Sequence, residues 1–178
     1  PHPIPMMKSM KNGLGQLKKS WYIFFFQIPR LPEWLLGRNQ AKGISQAFRN
    51  SAVNKDMFPD EVVEVYRKNA NQPGALTAMI NYYRGLFKGR KNASIEDIAI
   101  IDTPTLMVWG EDDVALSKDT TYGTQDYVTD FRIRYLPRVS HWVQQEAPEA
   151  VNAMMSAFLT DKPIPEAHWV MQLTEPTE

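Results

Sequence analysis

A nearly unbroken apolar run, Thr105 to Trp109, stops at Gly110 and is followed at once by three acids, Glu111, Asp112 and Asp113. A strand lying between core and water would alternate apolar with polar residues, whereas a continuous run of this length fits a parallel strand covered on both faces. This stretch constrains the fold most, because a strand buried on both faces needs neighbours to pair its backbone. A second short strand is expected at Ile133 to Leu136, leading into Ser140-His141-Trp142. In open parallel sheets, ligands and chemistry gather at the carboxyl ends of the strands. One strand end therefore offers a carboxylate and the next an imidazole. A histidine that takes a proton from water near neutral pH needs one ring nitrogen free and the other N–H held by an acceptor. Asp113 is the expected acceptor and His141 the expected base. The competing reading makes the acids helix caps and His141 an ordinary loop residue; the position of both groups after successive strands favours the catalytic one.

At 178 residues the chain has enough apolar side chains for one core of ordinary size. Its formal net charge is zero, so nothing in it marks a nucleic-acid partner or an anionic membrane. The absence of cysteine removes disulfides, thiolate metal sites and cysteine nucleophiles together. With only His2, His141 and His168 available, and no paired-histidine spacing, neither a metal nor a cofactor is expected. The most apolar window, Trp21 to Phe26, is far shorter than the roughly 20 residues that cross a bilayer. Lack of cysteine and of a targeting signal leads to the expectation of a cytoplasmic protein. Prolines at positions 1, 3 and 5 give the opening the character of a loop leaving a structure already under way, so the start is read as internal.

From Lys11 to about Asn92 the composition is helical. Lys18 to Gln27 carries Trp21, Tyr22, Phe24, Phe25 and Phe26, ended by Pro29 and Pro32, with another helix starting at Pro32. Phe58-Pro59-Asp60-Glu61 is a helix opening, with proline in the first turn and acids where the macrodipole favours them. A third helix after Pro73-Gly74 runs to about Phe87 with a stripe of Leu76, Met79, Ile80, Tyr83 and Phe87. Tyr83 lies on that stripe and Tyr82 about 100° away from it. Lys88 to Lys91 reads as a solvated loop, and Pro148-Glu149 opens a last amphipathic helix bearing Val151, Met154, Met155, Phe158 and Leu159. Gln144 and Glu146 read as loop and helix-start polar groups. Beyond Asp161 the tail is expected to extend along the surface, with Trp169 and Met171 available to dock it.

The phrases TPTLMVWGEDDVAL and SHWVQQEAPEAVNAMMSAFL resemble the last third of an α/β-hydrolase, and SHWVQQEAP is most similar to the epoxide hydrolase and haloalkane dehalogenase branch. By that resemblance Asp113 matches the acid and His141 the general base. WYIFFFQIPRLPE resembles the start of the epoxide hydrolase cap and INYYRGL its later helix, with Tyr22 and Tyr83 as the matching tyrosines. Opening an epoxide puts negative charge on oxygen, which two phenol donors can stabilise and protonate. Each tyrosine alone is more simply a core aromatic; the two phrases together, in order, favour the catalytic role. Trp142 is either packing or pocket lining, and with Phe26 and Trp21 it completes the candidate substrate pocket.

The resemblance implies an α/β fold: the C-terminal part of an α/β-hydrolase, parallel core strands with flanking helices, carrying an inserted helical cap. Residues 1–10 would be a loop leaving the core, 11–96 the cap, 97–160 the C-terminal part of the core and 161–178 a tail. There is no G-x-S-x-G and no equivalent glycine-flanked aspartate, and no serine sits in such an elbow. The expected partners are a small apolar substrate such as an epoxide and the N-terminal half of the core, in cis or as another chain. That half would supply an aspartate nucleophile, and the isolated chain is expected to be inactive, with exposed strand edges. Three other readings stand beside this one: a dehalogenase of the same fold with Trp21 as a halide donor, a serine esterase of the fold, and a non-catalytic binding module.

Overall fold

The computed structural model of the chain describes residues 14–87 and 100–167. The opening Pro1 to Met10, the basic stretch Lys88 to Lys91, and Trp169 and Met171 lie outside the described residues.

Among the described residues, six helical segments and turns come first. Helices α1 (Leu14–Lys19) and α2 (Trp21–Phe25) are short and separated by Ser20. Helix α3 (Leu31–Ser51) carries Pro32 in its first turn and is broken at Arg38–Ala41, where Asn39, Gln40 and Ala41 adopt left-handed angles. The Arg67 guanidinium holds that break by donating to the Gln40 carbonyl at 2.7 Å. A 3₁₀ turn (Lys55–Met57) leads to α4 (Asp60–Ala70), which begins after Pro59 with Asp60 and Glu61 in its first turn, and α5 (Ala75–Phe87) follows. Of the stripe expected on α5, Ile80 is buried at 2% exposure, whereas Met79 stands 48% exposed. Adjacent residues on a helix are about 100° apart, so the seam centred on Ile80 leaves Met79 at its margin.

Among the described residues the sheet contains two parallel strands, β1 (Thr105–Gly110) and β2 (Phe131–Leu136), paired in register from Thr105 opposite Phe131 to Gly110 opposite Leu136. Their crossover is built from two 3₁₀ turns, Lys118–Thr121 and Thr124–Tyr127. Helices α6 (Val143–Glu146) and α7 (Pro148–Leu159) follow. The inward face of α7 is Ala150, Val151 and Met154, packed with Leu136 and Val139, while Met155 and Leu159 are exposed. The tail docks through buried Ile164, whose carbonyl, like that of Pro165, accepts from the Arg134 guanidinium. No helix among the described residues is long and apolar enough to cross a membrane.

Candidate active site

The acid and the histidine meet where the two strands end. Gly110 closes β1 against the loop leaving β2: a Cβ there would lie 2.1 Å from the Ser140 carbonyl oxygen and 2.4 Å from that of Val139. The Glu111 and Asp112 N–H groups donate to the Leu136 and Val139 carbonyls, which seals the two strand ends together. Gly110→Ala is therefore expected to destabilise the fold by roughly 3 kcal/mol, because backbone rather than a flexible side chain must move; urea denaturation measures it.

Asp113 is buried, at 6% exposure. Its Oδ1 accepts from the Ala115 and Leu116 N–H groups at 2.8 Å each, a turn that aims Oδ2 at His141. Oδ2 lies 2.9 Å from His141 Nδ1. Burial alone would raise the Asp113 pKa; the His141 hydrogen bond and charge, with the two backbone donors, outweigh it and hold the carboxyl below its ordinary value. A depressed folded-state pKa contributes stability that is present above the unfolded value of about 3.9 and is lost as pH falls through the folded one. Thermal unfolding between pH 6 and pH 3 should show this: the Tm gap between the wild type and Asp113→Asn is expected to shrink as the pH falls.

Two side chains of α1 tie the acid turn to the helical block. Buried Gln16 accepts from the Ser117 N–H at 2.7 Å and donates to the Ala115 carbonyl at 3.1 Å, while the Lys19 ammonium donates to the Asp113 carbonyl at 2.8 Å. Helix α2, one residue beyond Lys19, carries Tyr22. The Tyr22 ring meets that of Tyr83 edge-on at 5.6 Å, and Phe26 packs on both, 5.8 Å from Tyr22 and 5.0 Å from Tyr83. Burial, reinforced by the charges of Tyr83 and Asp113, pushes the Tyr22 pKa up to about 12. Burial, then Tyr82, raises that of Tyr83 as well. Both phenols therefore keep their protons at neutral pH and are available as donors.

Arg84 brings these tyrosines together, and sequence reasoning missed it. Its guanidinium donates to the Phe26 and Ile28 carbonyls at 2.9 Å each, binding the end of α2, and forms an ion pair with Glu33 at 2.5 Å. Free carbonyls at a helix end are natural partners for such a donor. Gln27 adds a bond from its amide to the Tyr83 carbonyl at 3.4 Å. Arg84→Met is expected to lower stability by roughly 2 kcal/mol and the Tm by about 4–8 °C, measured by thermal unfolding.

The remaining pocket candidates are placed differently. Trp142 packs its indole 4.5 Å from Phe48 and 5.0 Å from the His141 ring, and its Nε1 donates to the Ser51 hydroxyl at 2.8 Å. It joins the cluster of Ala52, Phe58 and Val63. Trp21 is 65% exposed and touches Phe25.

No family model matches the chain. It is 33% identical over 164 residues to "Epoxide hydrolase 2" of Caenorhabditis elegans, covering 90% of this chain and 46% of that protein. To "Epoxide hydrolase 4" of Mus musculus it is 33% identical over 167 residues, covering 91% of this chain and 45% of that one. The chain thus spans about half the length of the curated relatives it matches. A crystallised epoxide hydrolase of Bacillus megaterium superposes on 90% of the chain and 58% of its own with a TM-score of 0.76 at 24% identity, a likeness of fold. Over nine-tenths of its length the chain is thus similar in sequence to curated epoxide hydrolases, and it shares the fold of a crystallised α/β-hydrolase-fold epoxide hydrolase.

Proposed function

We propose that this chain supplies the cap and the acid–base pair of an enzyme that opens a small apolar epoxide to a diol. The observation that carries the reading is the 2.9 Å contact between Asp113 and His141 at adjoining strand ends, with Tyr22, in contact with Tyr83, on the helix that follows α1, whose Lys19 donates to the Asp113 carbonyl. In this reading residues 11–96 form the cap and 97–160 the C-terminal part of the core. The nucleophile is an aspartate on a segment outside this chain, because no residue here sits in a nucleophile elbow. That segment belongs to the N-terminal half of the core, joined in cis or carried by another chain, and without it the chain is inactive.

The aspartate attacks an epoxide carbon, forming a carbon–oxygen ester bond as the ring C–O bond breaks, and Tyr22 and Tyr83 donate to the departing oxygen and protonate it. His141 then takes a proton from water through Nε2, while Asp113 holds the Nδ1–H and stabilises the imidazolium. The hydroxide attacks the ester carbonyl, the leaving alkoxide takes the proton from His141 and departs as the diol, and the proton of the regenerated aspartic acid returns through solvent to the tyrosinate.

The test is to read the coding sequence upstream of Pro1, and to measure diol formation from a small aryl epoxide by the polypeptide that includes it. An upstream glycine-flanked aspartate, with diol formation abolished by His141→Gln, is the expected result. Turnover of haloalkanes or carboxylic esters in place of epoxides would overturn it, as would saturable binding without turnover.

A further inference from the structure

Glu146 is a buried carboxylate, 7% exposed, that the proposed chemistry does not use. Its Oε2 accepts from the Val53 N–H at 2.8 Å and the Asn54 N–H at 3.0 Å, and its Oε1 accepts from the Ser140 N–H at 3.2 Å. Val53 and Asn54 follow α3 and its cap Ala52 in the helical block, and Ser140 immediately precedes His141. One carboxylate therefore joins the helical block to the loop that carries the histidine. A buried carboxylate persists only where donors replace its lost water, and here three backbone amides do so. The group needs an acceptor at both ends: a carboxamide has one oxygen, and its NH₂ would face either the Ser140 donor or the Val53 and Asn54 donors. Trp142, on the other side of His141, makes a parallel connection through the Ser51 hydroxyl and the Phe48 ring.

We infer that Glu146 is a positioning residue: it anchors the His141 loop to the segment at Val53 and Asn54, so that a displacement of the helical block is transmitted to the base. This takes His141 as the base of the reading above, but its test does not depend on turnover.

Amide hydrogen exchange and NMR of the imidazole protons are measured on the intact protein. In the wild type the Val53, Asn54 and Ser140 amides are expected to be protected and to open together, since they share one acceptor group. Glu146→Gln is expected to speed exchange at Ser140, or at Val53 and Asn54, by roughly tenfold, and to shift or broaden the His141 Nδ1 proton resonance. Wild-type amides that exchange at unprotected-loop rates, or that open independently, would overturn the inference without any variant. So would a Glu146→Gln protein in which the imidazole proton is unmoved. In a protein that turns over epoxide, the same variant is expected to lower kcat by roughly tenfold or more with little change in KM, as misplacement of a base would. A wild type without epoxide turnover counts against the enzymatic reading alone, and the exchange and imidazole results still decide the role of Glu146.

Discussion

Replacing Asp113 with asparagine is expected to cut steady-state diol formation by about 10³–10⁴-fold while leaving alkylation of the protein intact. The asparagine oxygen can keep the two bonds from Ala115 and Leu116 N–H, so the turn survives. Its NH₂ then faces His141 Nδ1, where the carboxylate stood 2.9 Å away, and makes that nitrogen an acceptor. The ring proton moves to Nε2, the atom that must take a proton from water, so the base is lost by its tautomer rather than its position. Alkylation does not use His141 and continues. Intact mass spectrometry of the complete protein after incubation with epoxide should therefore show one added epoxide mass per polypeptide, with little diol in solution. Diol production at the wild-type rate would remove Asp113 from the mechanism.

The second large effect is expected on the preceding step. Tyr22→Phe or Tyr83→Phe alone should slow epoxide consumption by about 10²-fold and the double variant by about 10³-fold or more, because each removes one donor to the developing alkoxide. Phenylalanine retains the edge-on contact at 5.6 Å and the packing on Phe26, so thermal stability should change little. Here no ester accumulates, which separates these variants from Asp113→Asn. An exposed neighbour provides the control: Tyr82, 75% exposed, should tolerate phenylalanine without loss of rate. A double variant that consumes epoxide at the wild-type rate would make the tyrosine pair structural packing.

Much of this arrangement is legible in local chemistry. The apolar run before Gly110 becomes β1, the run before His141 becomes β2, and the pairing is parallel. Pro59 with its two acids opens α4, and Pro148 opens α7. These succeed because strand burial, proline geometry and the helix dipole act within a few residues of the signal. The same locality explains the shortfalls. Periodicity placed Met79, Met155 and Leu159 on packed faces, yet each is about half exposed or more, because a helix stripe says which side is apolar and not how far the neighbouring element reaches across it.

The residues that hold the site together are the ones no local pattern announces. Glu146 reads in sequence as a polar group at a helix start; folded, it accepts from amides 92 and 93 positions away. Gln16 reaches Ser117 across 101 positions, Lys19 reaches Asp113 across 94, and Arg84 grips carbonyls 56 and 58 residues before it. By itself the sequence determined the parallel strands, the helix starts and the order of acid and histidine, carried by residue type and short spacing, while only its resemblance to the epoxide hydrolase cap pointed to Tyr22 and Tyr83. Only the tertiary structure decided that Asp113 turns its Oδ2 onto His141, that Tyr22 and Tyr83 share one contact, and that both groups of catalytic candidates are pinned to the helical block. Hydrogen bonds between distant segments depend on where the backbone is carried by packing, and a donor's partner across a hundred residues leaves no trace in the composition around it.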